Sequence, residues 1–339
     1  MPSRSLFVSS FLNRIICPPC DHQRRLYFKC MKSCGYLCKQ CKLNSKRLSN
    51  IYQCNSCFKS YCLHHFIHHS EGLVHYWRHN VGDLVIYNPQ TQTKRIIHFS
   101  QNINQNASHI SAEDKIFAIG GYDPVSNQVF EVDIINAALI TKKSMFVNKY
   151  GMSLCCHLSY IYSIGGDNNS VAFQDCEKYS IHKDQWIQLP NLYEARSVCA
   201  TFVFNRKYIY VYGGWTPGTV INTIERIEIK LSNKWESVNG IMAHRISCIN
   251  GIQVDKSRAI IFGSEGSSSN AYWMTIKKKS VEFSSAPGLK YGASVSGCPN
   301  PVLVGNKIFV ISGEKRIHIY SINKNTWNVL EDALSRPLN

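Results

Sequence analysis

Strand-like runs recurring every 45 to 50 residues predict an all-β fold: a β-propeller of about six blades, one of them incomplete, behind a small cysteine- and histidine-rich module. Two markers kept in register over residues 82–330, and a separate run of paired cysteines before residue 80, carry this prediction. At 339 residues the chain exceeds one ordinary core, so it divides into residues 1–80 and 82–339.

The first marker is an apolar strand ending in a glycine doublet. It reads Lys115-Ile-Phe-Ala-Ile-Gly-Gly121, then Tyr160-Ile-Tyr-Ser-Ile-Gly-Gly166, then Tyr208-Ile-Tyr-Val-Tyr-Gly-Gly214. Weaker copies follow at Ala259-Ile-Ile-Phe-Gly-Ser264 and Lys307-Ile-Phe-Val-Ile-Ser-Gly313. The second marker is a strand, a polar turn and a Trp, as in Tyr179-Ser-Ile-His-Lys-Asp-Gln-Trp186, Ile227 to Trp235, and Tyr320-Ser-Ile-Asn-Lys-Asn-Thr-Trp327. Glycine doublets open backbone geometry closed to other residues where a strand turns near the axis, and the Trp supplies apolar area for packing one blade on the next.

With both markers at a shared period, the sequence resembles the kelch repeat family, whose unit is one four-stranded blade. Five complete blades are expected at 106–142, 153–190, 198–238, 246–285 and 293–330, with residues 83–99 supplying the outer two strands of a sixth. A free sheet edge is a liability, so ring closure is required, and Leu330 to Asn339 is short for both missing inner strands. The resemblance implies ligand contacts just after the doublets, at Tyr122, Asn168 and Trp215. It also implies contacts ahead of the innermost strands, at Lys149, Tyr150, Arg196, Arg245 and Tyr291. A protein or peptide is the expected partner, because aromatic and Arg side chains dominate binding hot spots.

In the first 80 residues the spacing is Cys17-x2-Cys20, Cys30-x3-Cys34, Cys38-x2-Cys41, Cys54-x2-Cys57 and Cys62-x2-His65, with His68 and His75 among the trailing histidines. Pairs two or three residues apart let one turn present two side chains to a tetrahedral ion, which predicts two to three structural zinc ions. The stretch from Cys54 to His68 resembles a B-box zinc finger. That resemblance implies one site of Cys38, Cys41, Cys62 and His65, a second of Cys54, Cys57, His68 and a later His such as His75, and a third of Cys17, Cys20, Cys30 and Cys34. A frame opening at Cys17 fits as well, so the pairing stays open. A segment this short buries little core, and metal binding then supplies the folding free energy.

The formal charge of +16 is uneven: residues 1–80 hold twelve Lys/Arg against Asp21 and Glu71. Nucleic-acid binding through this basic module is the alternative reading, disfavoured because its aromatics are few and not interleaved with the cations as stacking platforms would be. A propeller enzyme is the other alternative, and no gathered catalytic set stands out. No apolar stretch reaches the length of a membrane span, and Leu6-Phe7-Val8 with Phe11-Leu12 is too short for a signal peptide, so no membrane contact is expected. Closely spaced cysteines with histidines, and six others scattered through β-rich sequence, indicate metal ligands and free thiols in a reducing compartment, cytoplasmic or nuclear. One cysteine cluster is too small for a RING plus a B-box, and no BTB-like helical domain fits between residues 80 and 100. The expectation is therefore a non-catalytic adaptor, with a place in ubiquitin-ligase-type assemblies implied by the resemblance.

Overall fold

A computed structural model describes residues 51–53, 60–62, 74–78, 82–89, 92–113, 115–240, 247–265, 268–278, 280–289, 300–312 and 316–330. The chain divides into two compact units, Met1–Glu71 and Gly72–Asn339. In the first unit β1 (Ile51–Gln53) and β2 (Ser60–Cys62) form an antiparallel hairpin, Ile51 opposite Cys62. Its connection holds Cys54 and Cys57, which, with Cys17, Cys20, Cys30, Cys34, Cys38, Cys41, His65 and His68, lie outside the described residues.

The second unit is a six-bladed propeller of antiparallel meanders. Blade 1 has three strands, β3 (Val74–Arg78), β4 (Asp83–Asn88) and β5 (Thr93–His98). Blade 2 is β6 (Ser108–Ala112), β7 (Lys115–Ile119), β8 (Val129–Asp133) and β9 (Ala138–Lys142). Blade 3 is β10 (Ser153–His157), β11 (Tyr160–Ile164), β12 (Cys176–Ser180) and β13 (Gln185–Leu189). Blade 4 is β14 (Ala200–Phe204), β15 (Tyr208–Thr216), β16 (Thr219–Glu228) and β17 (Trp235–Ser237). Blade 5 is β18 (Ser247–Gln253), β19 (Arg258–Glu265), β20 (Ser268–Ile276) and β21 (Val281–Ala286). Blade 6 is β22 (Val302–Val304), β23 (Lys307–Ile311), β24 (Ile317–Ser321) and β25 (Thr326–Leu330).

Blade 1 departs from expectation in one respect. Val74–Arg78, read in the sequence as the end of the histidine tail, pairs with β4 from Val74 opposite Tyr87 to Arg78 opposite Asp83. By register it takes the place held in blade 3 by β11, so among the described residues blade 1 lacks one strand rather than two. The reason is side-chain character: Val74 and Trp77 are 3% and 1% exposed, and Trp77 packs on Phe99 with ring centroids 4.8 Å apart. That burial outweighs the polar look of the neighbouring histidines.

The core lies between blades. An apolar cluster fills each junction, for example Phe117 and Ile119 of blade 2 with Leu154, Ile161 and Trp186 of blade 3. The ring closes the same way: Val74, Val85 and Tyr87 of blade 1 pack with Phe309, Ile311 and Ile317 of blade 6. Among the described residues no strand is exchanged across that seam. The outer tryptophans add a hydrogen bond to their packing. Trp186 Nε1 donates to the Lys143 carbonyl at 2.8 Å, Trp235 Nε1 to Pro190 at 2.9 Å and Trp327 Nε1 to Pro287 at 2.6 Å. Each indole thus holds the stretch of chain that enters its own blade.

The doublet glycines turn where neighbouring blades meet. Gly165 and Gly166 have φ of +63° and +112°, a region that side chains rarely adopt, and a Cβ on Gly165 would collide with the Arg196 carbonyl of blade 4. Gly305 has almost the same φ, +60°, but open space around it. Gly165→Ala is therefore expected to cost on the order of 3 kcal/mol in urea unfolding, and Gly305→Ala about 1 kcal/mol. Equal losses would show that backbone strain, rather than the joint between blades, accounts for the doublet.

Candidate functional site

In each blade, counting strands a to d outward from the axis, the b–c connection and the d–a link to the next blade emerge on one face. The links 143–152 and 190–199 are built alike. The Lys149 N–H donates to the Ser126 carbonyl at 3.1 Å, and the Lys149 carbonyl accepts from Gly121 N at 3.3 Å. One repeat later the Arg196 N–H donates to Phe173 O at 3.1 Å and its carbonyl accepts from Gly166 N at 2.9 Å. A doublet and a b–c loop of one blade thus grip the backbone entering the next.

The side chains of the gripped residues turn inward. Lys149 Nζ lies 3.1 Å from Glu177 Oε1, both side chains fully buried, as an ion pair whose angles are not those of a hydrogen bond. Arg196 Nη2 donates to Glu225 Oε1 at 2.7 Å and to Thr223 Oγ1 at 3.0 Å, while Nη1 donates to the Gly213 carbonyl at 2.9 Å. Both carboxylates also accept from the link above them: Phe146 N donates to Glu177 Oε2 at 2.9 Å, and Tyr193 N to Glu225 Oε2 at 2.8 Å. Lys149 and Arg196, expected among the partner contacts, are instead fully buried. A buried charge is costly unless paired, and here a strand-c glutamate within the same blade supplies the partner.

The other expected contacts do face outward. Tyr122 and Trp215 are 36% and 37% exposed, and Asn168 is exposed at the tip of a turn that its own Oδ1 holds by accepting from Val171 N at 3.1 Å. Half-buried Tyr150 packs on Tyr122 across the blade boundary, ring centroids 5.1 Å apart, and donates its hydroxyl to Asn169 Oδ1 at 2.6 Å. Burial and the Asp167 carboxylate beside it push the Tyr150 hydroxyl up from its ordinary pKa, so it remains a donor. Arg245 and Tyr291 lie outside the described residues. Two further aromatics join this face, Phe146 at 61% and Tyr193 at 58% exposure. Their only sequence signal is shared spacing, Phe146-x2-Lys149 and Tyr193-x2-Arg196.

The remaining expected site residue, His75, is built into β3. It is 5% exposed, its Nδ1 lies 3.3 Å from Ser111 Oγ, and burial lowers its pKa to about 4, so the ring is neutral. Among the described residues no group of three His, Cys, Asp or Glu is placed to hold a metal. Cys155, Cys176 and Cys199 are free, buried thiols in the blade 3–4 cluster. Burial pushes Cys176 to about 12 and Cys199 to about 11, far from a reactive thiolate. The loop face exposes aromatic and amide side chains beside the carboxylates of Asp123 and Glu194. For the buried pairs, Arg196→Met alone should destabilise by on the order of 3 kcal/mol, because Glu225 is left charged and unpaired. Arg196→Met with Glu225→Gln should cost clearly less than the sum of the single changes in chemical unfolding; strict additivity would mean the pair is not coupled.

Comparison with known proteins agrees with this architecture. The Kelch motif family model matches residues 149–193 and 196–240, each running from the gripped Lys or Arg to the outer strand. "Kelch repeat and BTB domain-containing protein 2" of Cowpox virus (strain GRI-90 / Grishak) is 29% identical over 171 residues, 47% of this chain and 30% of that protein. "Kelch-like protein 23" of Homo sapiens is 28% identical over 145 residues, 40% of this chain and 24% of that protein. The matches thus span a third or less of those relatives. A solved structure titled "Structure of YjhT" superposes with a TM-score of 0.62 at 10% identity, covering 77% of this chain and 95% of that one, a likeness of fold alone. Blades 3 and 4 match the Kelch motif family model, and the chain is similar to kelch-repeat proteins over nearly half its length.

Proposed function

We propose that this chain is a non-catalytic interaction protein whose propeller recognises a protein or peptide on the face formed by its b–c and d–a connections. The observation that carries the reading is the display on one face of Tyr122, Phe146, Tyr193 and Trp215, all more than a third exposed, on b–c connections and d–a links whose backbones are hydrogen-bonded between blades. Large aromatics on a pre-organised backbone lose little entropy on binding and are the commonest hot spots. Affinity capture with the full chain should retain partners that Trp215→Ala weakens at least tenfold and that Tyr122→Ser with Phe146→Ser and Tyr193→Ser removes. A captured set indifferent to all these changes would sink the assignment.

Zinc in the first unit belongs to the same proposal. The candidate ligands are Cys17, Cys20, Cys30, Cys34, Cys38, Cys41, Cys54, Cys57, Cys62, His65 and His68, without His75, whose ring is enclosed in the propeller. Support comes from the donor spacing and from the hairpin Ile51–Gln53/Ser60–Cys62, which brackets one Cys-x2-Cys pair in its turn and ends on Cys62. Bound zinc would cross-link this segment and contribute folding free energy. Metal analysis of the purified chain should find two to three zinc ions, and fewer than one overturns this part. A reducing compartment such as the cytoplasm suits the free thiols of the propeller. Membership of a ubiquitin-ligase-type assembly rests on family resemblance alone.

A further inference from the structure

The opposite face, where a–b and c–d connections emerge, carries a charge imbalance across blades 4 to 6. Among the described residues its carboxylates are already engaged: Glu228 with Lys207, Glu236 with Arg226, Asp255 with Arg258 and Glu282 with Lys277. Among the described loop residues, six exposed cations are left without an ion pair, Arg206, Lys230, Lys234, Lys256, Lys278 and Lys324. The loops bearing them are joined to one another. Asn205 Nδ2 donates to the Lys256 carbonyl at 2.9 Å, Arg226 Nη1 to the Lys278 carbonyl at 3.1 Å, and Val254 and Ile322 share one apolar cluster. The turns are held internally as well, by Asp255 Oδ1 accepting from Ser257 N and Arg258 N, and by Ser232 Oγ donating to the Ile229 carbonyl. Between Lys230 and Lys234 stands Leu231, 63% exposed.

From this we infer a second docking surface, independent of the aromatic face, for an acidic protein segment that carries an aliphatic side chain. Surplus positive charge on fixed turns complements carboxylates at little ordering cost, and Leu231 offers the apolar anchor that charge alone lacks. Nucleic acid fits less well. Tyr208 is covered by Lys207 and Arg226, and Trp273 by Arg258, so these rings are not free for bases to stack on. Five of the six cations are lysines, point charges without the Arg fork that suits phosphate.

The test uses the full-length protein and a fluorescein-labelled twenty-residue peptide of Glu with Leu at every fourth position, read by anisotropy at 50 and 300 mM salt. Binding should weaken with salt, fall at least tenfold in Lys230→Glu/Lys234→Glu/Lys256→Glu, and fall in the same direction in the neutral Lys→Ser triple variant with an unchanged melting temperature. Leu231→Ser should weaken it about threefold, and not at all for a peptide with Ser in place of Leu. No peptide binding, or binding indifferent to these substitutions, overturns the proposal. So does a larger effect of the same substitutions on a 20-base-pair duplex DNA or on phosphatidylserine vesicles than on the peptide.

Discussion

The joint between successive blades rests on one constraint: a backbone carbonyl must sit where a side chain would otherwise be. The carbonyls of Lys149 and Arg196 fit against Gly120 and Gly165 only because those glycines lack a Cβ. Gripping a residue at that point drives its own side chain into the next blade, where a long cation must find a buried anion. Glu177 and Glu225 meet that need by charge and also take up N–H groups of the link, while Lys149 Nζ, Glu177 Oε1 and Arg196 Nε make no hydrogen bond of their own. Of the exposed aromatics, Phe146 and Tyr193 ride on these same links and Tyr122 and Trp215 follow the doublets. The recognition face is therefore positioned by the interior.

Hydrogen-bonded ladders hold each blade together within itself, whereas the blades are held to one another by apolar clusters and by the gripped links. The seam between blades 6 and 1 is the clearest case, since Val74, Val85 and Tyr87 meet Phe309, Ile311 and Ile317 without a shared strand among the described residues. Side-chain fit, which is non-directional and tolerant of exchange between aliphatics, is a weaker guarantor of register than a hydrogen-bonded ladder. The sequences of the blades reflect this division. Doublet, Tyr and Trp persist where backbone meets backbone, while the apolar positions vary freely among Val, Ile, Phe and Tyr.

The propeller was legible because its markers are local and repeat: doublet, Tyr and Trp each mark a spot where one residue type solves one steric problem. Val74–Arg78 was hidden because His75, coming after a run of histidines, gives the segment the look of a ligand tail, and a three-stranded blade has no doublet to announce it. Lys149 and Arg196 were placed on the correct link but facing the wrong way. Their anions, Glu177 and Glu225, lie 28 and 29 residues downstream, and nothing in the local sequence tells a buried cation from a displayed one. Phe146 and Tyr193 escaped notice for the converse reason, since their only mark is a shared distance to that cation.

The two matched motifs begin at Lys149 and near Arg196, not at the first strand of a blade. Each sequence unit therefore carries a tenon, the carbonyl that enters the preceding blade's doublet, and also a mortise, its own doublet, ready for the next. Such a unit can be duplicated or lost whole without reshaping its neighbours, because every copy brings one half of each joint it makes. Blade 1, which among the described residues begins at β3, is where this chain of matched carpentry stops, and the last junction is marked there by the apolar cluster of Val74, Val85 and Tyr87 with Phe309, Ile311 and Ile317.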